Sequence, residues 1–135
     1  MTRRFFFGVA IVILTASVSA AQVRPYNVIM KEVGSALGAL RKTVDDSDFA
    51  RSAEQAEHLE RLFKETEDFW AKFKTKDAID AAAGARELSA SIVAAARAKD
   101  AAKMKVGVSG LPRFCTSCHE SHREQMPDKS YRIRP

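Results

Sequence analysis

Two cysteines and a histidine near the C-terminus are the residues of this chain whose types and spacing indicate chemistry. Cys115 and Cys118 are separated by two residues, and His119 follows the second cysteine directly. Because three and four residues each return close to one helical turn, all three side chains would lie on one face of a helix. Three kinds of site use such a set: a covalently attached haem, a zinc ion, or a dithiol redox pair.

The surrounding sequence separates these three alternatives. A closed zinc site needs a fourth ligand, and the candidates, His122, His58 or a carboxylate, are not in a recognised paired spacing. A dithiol pair of the thioredoxin kind follows a strand, and no alternating strand pattern is visible. A disulfide across two residues would add little stability, since the stabilisation grows with loop length. Covalent haem attachment needs the adjacent histidine and an exported protein, and the sequence favours it.

The N-terminus has the features of an export signal. Two arginines precede an apolar run over 5–14, which is too short to span a bilayer. Small residues follow, so we expect cleavage after Ala20 or Ala21. We therefore interpret 1–21 as a signal peptide and the periplasm as the location of the mature chain. The paired arginines also resemble a twin-arginine signal, which leaves the export route open.

The charge balance is too mild for a nucleic-acid-binding protein. The 135 residues include 22 Lys or Arg and 17 Asp or Glu, for a net charge of +5. That value falls to about +3 when the two arginines of the signal are removed. We therefore expect no nucleic-acid partner. After the signal no apolar run is long enough to span a membrane.

The spacing of apolar residues predicts an all-α domain of four helices. Stripes of apolar residues recur at intervals of three and four, and acidic or hydroxyl residues that suit helix starts precede three of them. Short links between helices of this length favour an antiparallel up-down bundle, which would be one domain over 22–127. The expected helices occupy about 26–44, 49–67, 76–98 and 101–126.

The last predicted helix carries both the candidate site and two prolines. Pro112 lacks a backbone donor and crowds the carbonyl of Val108, so we expect a kink or a fresh helix start near 111–113. Pro127 should end the helix, and 128–135 should be a mobile basic tail. The core of so small an alanine-rich bundle would be marginal by itself, which favours a bound group at its centre.

These features together resemble the class II c-type cytochromes, the cytochrome c-prime family. The resemblance is carried by Cys115-Thr-Ser-Cys118-His119 on the last helix, by Arg123 four residues later, and by Met-Lys-Glu-Val-Gly over 30–34 on the first. Members are exported four-helix bundles with one haem c per chain. The resemblance implies thioether links at Cys115 and Cys118, His119 as an iron ligand, and Arg123 near a haem propionate.

The residue that faces His119 across the iron divides the family by function. Low-spin members carry a methionine on the first helix, and Met30 is similar to that position. Met30, Gly34 and Gly38 also share one helix face, where the glycines would let a flat macrocycle approach the backbone. The alternative is that Met30 only fills the core. The weaker candidates for the position are Met104, Met126 and His58.

We therefore expect a periplasmic electron carrier, not an enzyme, in which His119 and Met30 leave the iron no open position. Its partners would be redox proteins, and the chain would be a monomer or a homodimer. If Met30 only packs, five-coordinate iron would bind nitric oxide or carbon monoxide instead. The chain departs from the family in a short link between the second and third helices, in Pro112, and in a tail that extends past Met126. His122 also stands where an aromatic residue is common.

Overall fold

The computed structural model describes residues 24–135, which form four helices and a C-terminal β-hairpin. The predicted signal peptide, 1–21, lies outside the described residues. The helices pack against one another in chain order, so the predicted all-α antiparallel bundle is confirmed. None of these four helices combines the length and the apolar character that a bilayer crossing requires. The elements are α1 Tyr26–Asp45, α2 Phe49–Ala71, α3 Lys76–Arg97, α4 Ala101–His122, β1 Arg123–Gln125 and β2 Tyr131–Ile133.

Local signals account for where the helices begin and end. The carboxylate of Asp48 accepts a hydrogen bond from the backbone N–H of Arg51 at 3.1 Å, and that of Asp100 accepts one from Lys103 at 3.0 Å. Thr75 precedes α3 as predicted, but its hydroxyl makes no capping bond. The short links make neighbouring helices antiparallel, and each contains one left-handed residue. Those residues are Ser47, Lys74 and Lys99, with φ of 57°, 57° and 56°.

The bundle is packed most closely where α3 meets α2 and α4. Alanine predominates on the buried face of α3, which lets its neighbours approach. Gly107 on α4 leaves room for Ile92, because a Cβ at the glycine would lie 2.5 Å from Ile92 Cγ1. The buried hydroxyls of Ser52, Thr66 and Ser89 each donate a hydrogen bond, so their burial costs little. The largest fully buried side chains include Trp70, Leu40, Leu59, Leu62, Ile92, Met104 and Leu111.

Pro112 does not interrupt α4. The predicted fresh helix start near this residue is wrong, because α4 runs through it as one helix. A proline removes a single helical hydrogen bond, and the helix continues for a further ten residues beyond it. Leu111, the preceding residue, is fully buried against the other helices. Tertiary packing therefore holds the helix together across the proline.

The C-terminal segment also differs from the prediction. The helix was expected to reach Pro127, but α4 ends at His122. The expected mobile tail over 128–135 instead supplies β2, which pairs antiparallel with β1. The register places Arg123 opposite Ile133. Each strand has three residues, and together they form a small hairpin.

The turn of this hairpin uses signals that the helical interpretation overlooked. The Asp128 carboxylate accepts a hydrogen bond from the backbone N–H of Ser130 at 2.9 Å, and Lys129 is left-handed with φ of 67°. The backbone N–H of Met126 donates to the carbonyl of Ser130 at 2.8 Å. These local bonds reverse the chain directly after the helix ends.

Candidate cofactor site

A cavity lies between α1 and α4, which contact each other much less than the other neighbouring helices do. Its volume of about 450 Å³ falls within the range of small-molecule and cofactor sites. All four helices and the hairpin contribute to its walls, and most of the lining side chains are apolar. Among the residues that the structure describes, Arg123 and Arg132 are the charged side chains that line it. The cavity therefore suits an apolar ligand with anionic groups at one edge.

The α4 wall brings together the three residues singled out by their spacing. Cys115, Cys118 and His119 are all half-buried and all line the cavity. Both cysteines are free thiols, and Cys115 Sγ lies 3.6 Å from the carbonyl oxygen of Leu111. One face of a single helix thus presents two sulfurs and one imidazole to the same space.

Both thiols are held in their protonated form. Burial, together with the nearby Asp77 and Cys115, raises the pKa of Cys118 to about 11. Burial also raises the pKa of Cys115. A reactive dithiol centre needs at least one thiol with a lowered pKa, because the thiolate is the nucleophile. The environment therefore disfavours the dithiol redox alternative.

His119 is held as a neutral imidazole. Its pKa is lowered first by burial and second by the positive charge of Arg123. A neutral ring keeps a nitrogen lone pair available at neutral pH, which is the form that binds a metal. Within residues 24–135, however, no three His, Cys, Asp or Glu side chains converge on one metal position. The described residues therefore show no closed zinc site, although His122 lines the cavity together with His119.

The α1 wall carries Met30 on the other side of the cavity. Met30 is half-buried, and Gly34, one turn later, lines the same space. A Cβ built at Gly34 or at Gly38 would have nothing within 4 Å. Gly34 therefore leaves open space in the cavity wall near Met30, whereas Gly38 is exposed and does not line the cavity.

The weaker ligand candidates do not line the cavity. Met104 is fully buried in the core, and Met126 belongs to the turn of the hairpin. His58 lies on α2, with its Nε2 3.7 Å from a carboxylate oxygen of Glu32. Among the described methionines, Met30 is the one that faces the site.

An aromatic cluster closes the end of the cavity near the start of α1. Trp70 is 1% exposed, and its indole N–H donates to the hydroxyl of Tyr26 at 2.9 Å. Phe69 stacks on Tyr26 with ring centroids 4.0 Å apart, while Phe73 is 47% exposed. Burial raises the pKa of Tyr26 to about 12, so its phenol stays neutral. Trp70 and Tyr26 also line the cavity, which the sequence analysis did not predict.

Phe114 forms another part of the wall that spacing alone did not identify. Its ring packs directly on Gly84 of α3, where an added Cβ would overlap the ring. The guanidinium of Arg113 lies 4.6 Å from the centre of the same ring. The missing side chain at Gly84 therefore leaves room for the Phe114 ring between α3 and the cavity.

The chain matches no protein family, no curated protein and no solved structure. The resemblance to the class II cytochromes therefore depends on the residues of this chain.

The hairpin covers the side of the cavity next to His119. Tyr131 and Ile133 line the cavity, and the guanidinium of Arg123 lies 4.1 Å from the centre of the Tyr131 ring. Tyr131 and Ile133 were not predicted at the site, because the sequence favours a mobile tail over 128–135.

Proposed function

We propose that this protein is a periplasmic mono-haem c-type cytochrome that carries single electrons. The haem would be linked through Cys115 and Cys118, with His119 and Met30 as the protein ligands of its iron and Arg123 near its anionic edge. One observation carries the proposal: two thiols and a neutral imidazole line one wall of an apolar cavity that a methionine lines from another helix. The export signal predicted over 1–21 supports the periplasmic location.

The residues of the cavity fit such a group in shape and in chemistry. The open strip at Gly34 and the alanines of α3 give a flat apolar ligand room, and two arginines stand at the hairpin edge. Haem, when bound, supplies one-electron exchange at its iron. The chain would hold the macrocycle through the two sulfurs, its aromatic end would exclude water, and the lowered pKa of His119 would keep that imidazole neutral for ligation. Two protein ligands would leave no position for a substrate, which suits an electron carrier.

The first experiment is production of the full chain in a bacterium that exports proteins and attaches haem. The expected product has a mass increased by one haem, and its oxidised absorption spectrum is low-spin with a sulfur-to-iron charge-transfer band. Cys115→Ala combined with Cys118→Ala should yield a colourless chain, because both thioether positions are gone. A colourless wild-type product at the mass of the bare polypeptide would exclude the proposal.

A second experiment tests whether Met30 is a ligand of the iron. Met30→Ala should turn the low-spin spectrum into a high-spin one that shifts when carbon monoxide is added to the reduced protein. Met126→Ala is the matched control, because that methionine lies outside the cavity. If wild type already has the high-spin, carbon monoxide-binding spectrum, Met30 is not a ligand. The five-coordinate gas-binding function then replaces electron transfer.

A further inference from the structure

The C-terminal hairpin is a wall of the cavity, although little of its own structure would keep it there. Each strand has three residues, and an isolated two-stranded hairpin is at best marginally stable in water. Three of its residues, Tyr131, Arg132 and Ile133, nevertheless line the cavity. Contacts outside the hairpin must therefore fix its position over the site.

His122 makes the contacts that fix it. The side chain of this last residue of α4 is 11% exposed. Its Nδ1 lies 2.8 Å from the carbonyl oxygen of Arg134, and its Nε2 lies 2.9 Å from the carboxylate of Asp77 in the first turn of α3. Both partners are oxygen acceptors, so a ring nitrogen that carries a proton can donate to the one it faces. The ring also packs 4.9 Å from the ring of Trp70. One side chain thus joins α4, the end of β2 and α3.

Arg134 strengthens the same junction from the hairpin side. Its backbone N–H donates to the carbonyl of His122 at 2.9 Å. Its guanidinium donates to the carbonyl oxygens of Glu120 and Ser121 at 3.4 and 3.2 Å. These carbonyls belong to the last turn of α4, whose acceptors have no helical partner. The set formed by His122, Asp77 and Arg134 is called the clasp below.

We propose that the hairpin is a cover over the edge of the cofactor cavity beside His119, and that the clasp holds it closed against water and small ligands. His122 and Asp77 are positioning residues in this arrangement, since they act through Tyr131 and Ile133. The identity of the cofactor rests on the function proposed above. The position of the hairpin does not, because every contact of the clasp lies within the polypeptide.

Asp77→Asn is the variant that opens the cover with the smallest change in shape. It removes the charge of the acceptor but keeps its size, so the hydrogen bond from His122 loses its charge-assisted character. Hydrogen–deuterium exchange of the amides over 123–133 should accelerate roughly tenfold. Asp80→Asn is the matched control, because Asp80 lies one turn later on α3 and pairs only with Lys76 at 2.6 Å among the described ion pairs. Asp77→Glu should restore part of the protection.

The second readout is the access of carbon monoxide to the iron. In the reduced haem-loaded Met30→Ala protein, Asp77→Asn should accelerate carbon monoxide binding several-fold, while Asp80→Asn should not. Faster exchange in the hairpin without faster binding would show that the hairpin is not a cover. Unchanged exchange in Asp77→Asn would show that the clasp does not hold it.

The two proposals fail in different ways. A colourless wild-type chain would remove the haem, and the mass of the product reports that directly. Exchange over 123–133 can still be measured in that chain, so Asp77→Asn would continue to decide whether the clasp exists.

Discussion

The two sides of the bundle are built differently. Where α3 meets α2 and α4, small residues bring the helices together, and the Ile92 side chain occupies the room left by Gly107. Between α1 and α4 the helices separate around a cavity of about 450 Å³, and the residues with candidate chemistry face that space. One side therefore supplies stability and the other supplies a site. A small domain can keep an open site only if its remaining contacts are well packed.

The largest expected effect on stability comes from removing a buried side chain where α3 packs against its neighbours. Ile92→Ala should lower the free energy of unfolding by about 2–5 kcal/mol, since the residue is 1% exposed and the helices cannot close the gap. Leu37→Ala should cost clearly less, because Leu37 already borders the cavity. Urea unfolding of the two cofactor-free variants measures both values. Equal losses would show that the two sides do not differ in packing.

The second effect concerns the environment of the cavity. With a pKa of about 11, Cys118 carries little thiolate at pH 8, and its alkylation by iodoacetamide should be about a hundredfold slower than in the urea-unfolded chain. The rate in the folded, cofactor-free chain should keep rising with pH up to about 11. Mass spectrometry of the peptide that contains Cys118 measures the rate. A plateau near pH 9 would mean that this wall is wetter than the structure indicates.

Two helix glycines give a third, smaller test with opposite signs. Gly84→Ala should destabilise the chain by about 1–3 kcal/mol, because the new Cβ would overlap the Phe114 ring. Gly34→Ala should stabilise the cofactor-free chain by up to about 1 kcal/mol, because its Cβ would meet open space and alanine favours helix. Thermal unfolding compares the two. In the haem-loaded protein, Gly34→Ala should also alter the absorption spectrum.

The smallest effect is acid loosening of the hairpin. Hydrogen bonds from His122, Arg132 and Ser130 lower the pKa values of Asp77, Glu124 and Asp128, respectively, below their ordinary values. A carboxyl group with a lowered pKa in the folded state stabilises that state at higher pH, and the stabilisation disappears as pH falls through the lowered value. The protection factors over 123–133, which correct for the intrinsic slowing of exchange in acid, should therefore fall below about pH 4, ahead of those of α2 and α3. Simultaneous loss of all protection would argue against a separately held hairpin.

Local signals explain which parts of this structure could be predicted. Asp48 and Asp100 act within three residues of themselves, so their capping roles follow from sequence alone. The shared face of Cys115, Cys118 and His119 follows from helical geometry in the same way. The four-helix pattern and the shared face of these three residues therefore needed no tertiary information.

The missed features depend on contacts between distant parts of the chain. His122 finds its partner, Asp77, across 45 positions, and this contact helps to place the hairpin against α3. Trp70 lines the cavity because α1 brings Tyr26 beside it, 44 positions away. The end of α4 was misplaced for a different reason: Asp128 and Lys129 form a turn whose signals were present but were attributed to a tail.

The sparse contact between α1 and α4 has a consequence for how the cell would handle this chain. Any ligand that fills the gap replaces the missing helix–helix interface and stabilises the folded state by mass action. The unfilled chain would open more often and expose α1 to proteases. Binding of the cofactor would then determine how long each chain persists in the cell. Chains without it would be degraded, and chains that have bound it would accumulate.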